Sequence, residues 1–232
     1  MCGRYALYGP ISRHRKMPDE AALPEWWAAL ADTINERPMR FNVAPTDPMP
    51  VIGKSREGAI KIREARWGLV PYWAKDSKIG HKAINARVET VAGKPMFREA
   101  FKRRRCLVPA TGYFEWKPEG AAKQPYFIHA ADDELLMFAG LWEAWRETKE
   151  SEPLHTYTII VGPPGVVSGD IHDRAPVILP ETMWDAWLGA DAAEASAMLE
   201  GIAEPALIYH AVSKAVGSPK NDAPGLVEPI QA

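Results

Sequence analysis

The sequence predicts an α+β fold: a compact, mostly antiparallel β-sheet or barrel core with surrounding helices. Most of its patterned segments are short strand candidates separated by proline, glycine or acidic residues, and few segments carry helix signals. No repeating strand-helix-strand pattern runs along the chain, which argues against a parallel, doubly wound sheet. Hydrophobic residues make up 47% and charged residues 25% of the 232 positions, as in globular domains, so the chain can bury a substantial core.

Two segments carry helix signals. Residues 24–36 begin with proline, present a broad apolar face and end just before Pro38, which cannot continue a helix. Near the C-terminus, Asp191 and Glu194 have the spacing of a capping box, and Gly201 is placed to end the helix that this box would start. These patterns predict two short helices.

The strand candidates are bounded by turn-forming residues. Ile60 to Arg63 alternate apolar and charged side chains, as in a half-buried strand. The adjacent acids Asp132 and Asp133 predict a hairpin between two of the candidates. The predicted strands are residues 60–63, 105–109, 126–129, 135–139, 156–161, 177–179 and 207–212.

Repeats, low-complexity tracts and long linkers are not found, so we expect one domain over residues 1–232. No apolar run approaches the roughly 18 residues that cross a bilayer, and the N-terminus lacks the apolar core of a signal peptide. We therefore expect a cytoplasmic protein with no membrane partner, nucleoid-associated if the source is bacterial.

The usual cofactor and metal motifs are absent from the sequence. There is no GxGxxG or P-loop, and the six histidines show no HExxH spacing. The two cysteines, Cys2 and Cys106, cannot form a disulfide scaffold or a four-ligand zinc site. The sequence thus predicts no cofactor and no metal.

Charge is distributed unevenly along the chain, although the formal net charge is only -2. Residues 37–123 carry 19 Lys and Arg against 8 Asp and Glu, whereas residues 124–232 carry 5 against 17. Two interpretations remain open: two solvated faces that attract each other within the fold, or a basic surface for a polyanion such as nucleic acid.

Cys2 is the most informative position because of its neighbour. An initiator methionine before a small residue is normally removed, and removal of Met1 would leave Cys2 with a free amine of pKa about 7.7–8.0 and a thiol of pKa about 8.5. Such a 1,2-aminothiol condenses with an aldehyde to an imine, and the thiolate then closes a thiazolidine ring. A buried, inert cysteine is the alternative.

Three further segments carry residues suited to chemistry. Glu115 lies between two aromatic residues, where desolvation raises the pKa of a carboxyl group toward the range useful for proton transfer. His172 and Arg174 share a predicted loop, which places a titratable group beside a potential phosphate ligand. Asn85 and Arg87 would share one face of an extended segment.

An aromatic and proline-rich stretch, residues 67–73, lies inside the basic region. Core packing is one explanation for these side chains. Stacking platforms for unpaired bases are the other, because aromatic side chains among Lys and Arg can hold single-stranded nucleic acid.

Taken together, the motifs resemble the SOS-response-associated peptidase (SRAP) family. They occur in the family's order and span nearly the whole chain, which makes accidental agreement improbable. The matching segments are residues 1–5 (MCGRY), 41–46 (FNVAPT), 67–71 (WGLVP), 85–90 (NARVET), 105–110 (RCLVPA), 112–116 (GYFEW), 138–143 (FAGLWE) and 171–174 (IHDR).

The resemblance implies a DNA-damage-response protein that recognises abasic sites in single-stranded DNA and links itself covalently to them. Carried over by position, Cys2 is the nucleophile through its amine and thiol, and Asn85 orients the amine. Glu115 is the general acid/base in imine formation, and His172 assists opening of the deoxyribose ring or reversal of the link. β-Elimination from the imine would give abasic-site lyase activity. The implied fold is a β-rich core with surrounding helices.

The resemblance also implies a set of DNA-binding residues. Arginines at three matching positions are expected to hold phosphates, and three further residues are expected to line the DNA groove. The expected phosphate ligands are Arg4, Arg87 and Arg174, and the groove residues are Pro45, Trp67 and Trp116.

The chain departs from the family pattern in two places. Residues 161–165 (VGPPG) replace a threonine-rich strand end, so a hydroxyl group that could contact DNA is missing there, and Ala175 replaces the usual methionine. These departures leave one wall of the expected pocket in question.

Two other functions are compatible with the sequence. A cysteine peptidase that removes its own first residue would use Cys2, Glu115 and His172. A non-catalytic module would bind single-stranded DNA through the basic residues 37–123, with Cys2 incidental. For all three functions we expect a monomer.

Overall fold

The computed structural model describes residues 2–12, 23–55, 57–120 and 122–230, and in these ranges the chain forms two β-sheets with short helices. The strands are β1 (Arg4–Leu7), β2 (Arg40–Val43), β3 (Pro48–Lys54), β4 (Ile60–Trp67), β5 (Asn85–Arg87), β6 (Arg105–Ala110), β7 (Gly112–Glu119), β8 (Ala122–Ala130), β9 (Leu136–Trp145), β10 (Leu154–Gly162), β11 (Ala175–Pro176) and β12 (Leu207–Ala211). The helices are α1 (Trp27–Glu36), α2 (Arg98–Arg103), α3 (Val166–Gly169), α4 (Trp184–Gly189) and α5 (Ala192–Leu199).

One sheet closes into a barrel. Strands β4, β3, β6 and β9 pair antiparallel in that order, and β10 pairs antiparallel with β9. β10 also pairs parallel with β4, where Tyr157 lies opposite Trp67, and this pairing completes the five-stranded ring. Closure removes the exposed edges that an open sheet would present. The predicted α+β fold with a mostly antiparallel barrel core is confirmed.

The second sheet is antiparallel and carries the N-terminus. Its order is β12-β8-β7-β1-β2, with Tyr5 opposite Tyr113 and Arg4 opposite Phe114. The chain start therefore lies alongside the segment that contains Glu115. Gly112 permits close packing of β7 on β8, because a Cβ atom there would lie 2.7 Å from the carbonyl oxygen of Ile128.

Aromatic side chains join the two sheets. The hydroxyl groups of Tyr5, from β1, and Tyr157, from β10, hydrogen bond at 2.7 Å. Trp67 stacks on Tyr157, with ring centroids 6.2 Å apart, and meets Tyr5 edge-on. Burial of each such side chain contributes about 1.5–3 kcal/mol, so this cluster fixes β1 against the barrel.

Both predicted helices are present. α1 ends at Glu36, as predicted, and begins at Trp27, whose amide donates to the carbonyl oxygen of Pro24. The capping box of α5 is confirmed, because Asp191 accepts from the backbone amide of Glu194 and the Glu194 carboxylate accepts from the amide of Asp191. Gly201 follows the helix with a φ of 72°, a left-handed conformation that glycine adopts without strain.

Two strand predictions need correction. Asp133 does form a turn, with a φ of 57°, but β8 and β9 on either side of it belong to different sheets, so they are not a hairpin. Residues 177–179 contain only an isolated bridge between Ile178 and Phe138, and the two-residue strand β11 precedes them. Both errors have one cause: a local pattern identifies a turn or an extended segment but not its partner.

No helix within the described ranges is long and apolar enough to cross a bilayer. The same ranges contain no group of three or more His, Cys, Asp or Glu side chains arranged to hold a metal ion.

Candidate active site

Cys2 is buried at the start of β1. Its Sγ atom lies 3.9 Å from the carbonyl oxygen of Arg4, and the side chain has no exposed surface. Burial raises the pKa of the Cys2 thiol, and the negative charge of Glu115 raises it further. The thiol is therefore neutral at rest and needs a base to become a nucleophile. Met1, whose removal would free the Cys2 amine, lies outside the described residues.

Glu115 lies on β7, the strand that pairs with β1 next to Cys2. It is 3% exposed and lies between the buried Phe114 and the partly exposed Trp116. Burial raises the pKa of Glu115, and the imidazole of His172 partly opposes this effect. The expectation that desolvation perturbs this carboxyl group is confirmed. A carboxyl group whose pKa is raised in this way keeps its proton to a higher pH than a free one, which suits it to proton transfer.

His172 follows α3 and is partly exposed. Its Nδ1 atom lies 3.1 Å from the backbone nitrogen of Arg174 and 2.9 Å from a carboxylate oxygen of Asp173. A neutral Nδ1 accepts from the Arg174 amide, and a protonated Nδ1 donates to Asp173. The Arg174 amide and the Asp173 carboxylate therefore both hold the ring and fix its orientation in the loop.

The fold brings three residues that are far apart in the sequence within electrostatic range of one another. Glu115 acts on the Cys2 thiol, and His172 acts on Glu115. Pairing of β1 with β7 supplies the first link, and the loop after α3 supplies the second. The result is a thiol, a carboxyl group and an imidazole in one site.

Asn85 lies on β5, which pairs parallel with β10. Its Nδ2 atom donates to the carbonyl oxygen of Ile84 at 3.0 Å. Its Oδ1 atom is buried and has no hydrogen-bond partner among the described residues. An unsatisfied buried acceptor is costly, by about 1–3 kcal/mol, so this oxygen is suited to receive a donor such as an amine.

Arg87 shares a cleft of about 850 Å³ with Asn85, in agreement with the prediction that the two side chains share a face. Arg87 is exposed, and Lys82 and Lys94 line the same cleft. Glu89, also in the cleft, pairs with Arg174. The cleft thus reaches the loop that carries His172, and its free face is basic.

Arg4 is placed differently from Arg87. Its guanidinium donates to Asn42 Oδ1 at 2.9 Å and to the carbonyl oxygens of Val216 and Gly217 at 2.8 and 3.1 Å. These bonds join β1 to the C-terminal part of the chain. Any phosphate that Arg4 contacts must use the donors that remain.

The structure corrects the prediction for Trp67. This side chain has no exposed surface, and its Nε1 atom donates to the carbonyl oxygen of Ile84 at 2.9 Å. It is a core residue and cannot line a groove. Pro45 and Trp116 are each partly exposed, so both remain available as surface contacts.

Two aromatic residues at the end of the stretch 67–73, for which core packing and base stacking were both considered above, are exposed. Tyr72 is 58% and Trp73 is 48% exposed, whereas the residues from Trp67 to Pro71 are buried. Their exposure agrees with their position in the sequence, after Pro71 and just before Lys75, where the apolar run gives way to charged residues.

Residues 162–165, where the chain departs from the family pattern, line a cavity of about 250 Å³. Tyr113 and Glu204 also line it. Cys2 and Glu115 both influence the Tyr113 hydroxyl, whose pKa burial raises well above its usual range. The departure therefore shapes a space next to the reactive residues.

Some of the cations in the basic region, residues 37–123, form ion pairs or hydrogen bonds within the fold. Arg104 pairs with the buried Glu143 at 2.6 Å, and Arg40 pairs with Asp222. Arg105 is 5% exposed and donates to backbone carbonyls, including that of Trp187 at 2.7 Å. Some cations of residues 37–123 therefore stabilise the fold, and others, such as Arg87, remain on the surface.

Comparisons with known proteins give matches over nearly the whole chain. The family model of the SOS response associated peptidase (SRAP) matches residues 1–219. The chain is 37% identical to abasic site processing protein YoqW of Bacillus subtilis (strain 168), over 98% of this chain and 99% of that protein. It is 36% identical to abasic site processing protein HMCES of Gallus gallus, over 100% of this chain and 78% of that protein.

A crystal structure of a protein from Bacteroides thetaiotaomicron has the same fold. It aligns with a TM-score of 0.74 and 27% identity, covering 88% of this chain and 89% of that one. The matched residues include the whole candidate site, and the family match extends over almost the full length. The chain therefore belongs to the SRAP family.

Proposed function

We propose that this protein processes abasic sites in single-stranded DNA by forming a covalent thiazolidine link through Cys2 after removal of Met1. The observation that carries the proposal is the pairing of β1 with β7, which places the buried Cys2 beside the segment that carries the buried Glu115. Two relatives named abasic site processing proteins, which this chain matches over 98% and 100% of its own length, support it.

An abasic site is in equilibrium with a ring-opened aldehyde, which is the partner that a 1,2-aminothiol requires. The Cys2 amine attacks the aldehyde carbon, and loss of water gives an imine. Sγ then bonds to the same carbon while the imine nitrogen takes up a proton, so the ring closes without an oxidant. Each step moves a proton that a nearby acid/base can carry.

Glu115 is the group proposed to carry these protons. It accepts a proton from the attacking nucleophile and returns it to the departing hydroxyl group, which suits a carboxyl group whose pKa burial has raised. Asn85 Oδ1, an acceptor without a partner among the described residues, would orient the amine. His172 would promote opening of the sugar ring or reversal of the link.

DNA positioning would come from the exposed cations and aromatic rings. Arg87 and Arg174 supply phosphate contacts, and Trp73 offers an exposed ring on which an unpaired base can stack. Pro45 and Trp116 contribute partly exposed surface. Covalent capture makes high intrinsic affinity unnecessary, so these contacts need only hold the strand in place.

The test is incubation of the purified protein with single-stranded DNA that carries one abasic site, followed by a denaturing gel and intact mass spectrometry of the protein. We expect a heat-stable shifted band that requires Cys2 and a removed Met1. Cys106→Ala is the matched control, since Cys106 is equally buried and should leave the band unchanged. A band of equal abundance and lifetime in Cys2→Ser would refute the proposal.

Lyase activity should compete with the link. β-Elimination from the imine cleaves the strand, and rapid closure of the thiolate on the same carbon prevents it. Cys2→Ala keeps an amine but loses the thiol, so we expect more nicking of abasic DNA than with the native protein. Less nicking would contradict this reasoning.

The second candidate is a peptidase that acts only on the protein's own first residue. It is favoured by the presence of a thiol, Cys2, near a carboxyl group, Glu115, that the imidazole of His172 influences. It predicts that Glu115→Gln or His172→Ala retains Met1, which intact mass spectrometry detects. Hydrolysis of added peptides without DNA would favour a general peptidase, and we expect none.

A further inference from the structure

A second cleft, of about 650 Å³, lies among the end of β3, the C-terminus of α2 and strand β9. It contains none of the residues assigned above to crosslinking. We propose that this cleft is an anion-binding site that takes a phosphate group. The residues that carry the argument are Lys54, Ser55, Arg103, Arg104, Trp142 and Glu143.

Three buried polar atoms of the cleft residues have no hydrogen-bond partner among the described residues: Ser55 Oγ, Arg104 Nε and Trp142 Nε1. Trp142 itself is 8% exposed. Each unsatisfied buried group costs about 1–3 kcal/mol, and native structures keep few of them. All three belong to residues that line one cleft, where a bound ligand would satisfy them.

The indole ring of Trp142 packs against Gly53, and the absence of a side chain there leaves room for the indole N–H. A Cβ atom on Gly53 would lie only 2.9 Å from Trp142 Nε1, so any larger residue would crowd this donor. The guanidinium of Arg63 lies 4.5 Å from the centre of the indole ring. Its positive charge adds to the potential at the N–H, which favours an anionic acceptor.

The charges of the cleft leave a positive excess. Arg104 pairs with Glu143 at 2.6 Å, and Glu99 lies 3.8 Å from Lys102, so both acids have cationic partners. Lys54 and Arg103 line the cleft and form no ion pair within the described residues. Two cations are therefore available to a ligand.

The donor set defines the chemical class of the ligand. Indole N–H, guanidinium N–H and ammonium groups only donate, so the ligand must present several acceptors and negative charge. A phosphate group supplies both, and guanidinium groups bind it with favourable geometry. The phosphate can belong to a nucleic-acid backbone or to a free phosphate compound.

The experiment follows the Trp142 indole N–H by NMR in ¹⁵N-labelled full-length protein, with Trp142→Phe used to assign the signal. Inorganic phosphate is titrated at constant ionic strength. We expect a saturable shift, with Arg103→Gln and Lys54→Gln each weakening binding about tenfold. Lys102→Gln is the matched control, because Lys102 is an exposed neighbour on α2 that does not line the cleft.

A second titration with a single-stranded oligonucleotide that lacks abasic sites identifies the source of the phosphate. A shift at much lower concentration, competed by inorganic phosphate, supports a nucleic-acid backbone, and a shift with inorganic phosphate alone supports a small phosphate compound. The proposal is overturned if the native protein shows no saturable shift, or if Arg103→Gln and Lys54→Gln bind as the control does while all variants unfold at the native temperature.

Discussion

Replacing Glu115 with glutamine should make the protein more stable and less active. The substitution keeps the shape of the side chain and removes its charge. Glu115 is 3% exposed and burial raises its pKa above the ordinary 4.5, so the folded state disfavours the charged carboxylate. Each unit of pKa elevation corresponds to about 1.4 kcal/mol of unfolding free energy lost when the group ionises.

The sign of the pH dependence follows from this elevation. Between the ordinary pKa and the higher folded-state pKa, the native protein binds more protons than the unfolded chain, so its stability falls as pH rises. Glu115→Gln removes this loss. We expect the variant to match the native protein below pH 4.5 and to become the more stable of the two as pH rises, by about 1.4 kcal/mol for each unit by which burial raises the pKa.

Urea denaturation at several pH values measures the stability effect, and the denaturing-gel assay measures the rate of adduct formation. We expect that rate to fall about 10²-fold or more, as for loss of a general acid/base. Glu119→Gln, an exposed position on the same strand, is the control for both. A less stable variant at neutral pH, or an unchanged adduct rate, would refute the reasoning.

Three further substitutions distinguish surface contacts from structural ones. Arg87→Gln should weaken binding to single-stranded DNA and reduce the slope of log binding constant against log salt concentration by about one. The unfolding midpoint should not change, because Arg87 is exposed. Arg4→Gln should lower the unfolding free energy by about 3 kcal/mol in urea denaturation, because it removes three charge-assisted hydrogen bonds to protein acceptors; a loss no larger than that of Arg87→Gln would contradict this. Trp73→Ala should cost about 1–3 kcal/mol of single-stranded DNA binding in a fluorescence titration, and unchanged affinity would exclude stacking there.

Local patterns predicted the elements that depend on local interactions. The capping box at Asp191 and Glu194 is satisfied within one helical turn, so its spacing was sufficient to predict α5. The turn at Asp133 was likewise visible, but its two flanking strands pair with distant segments in separate sheets. Strand β1, which holds the site together, lacked a local signal because its stability comes from pairing with β2 and β7.

The sequence by itself determined the residue types of the site: a thiol at position 2, an acid at 115 and an imidazole at 172, together with the motifs of the family. Only the tertiary structure decided that the first two are buried and lie on paired segments, β1 and β7. It also decided that Trp67 packs in the core while Trp73 meets solvent. Burial depends on neighbours contributed by distant segments, and no local pattern contains that information.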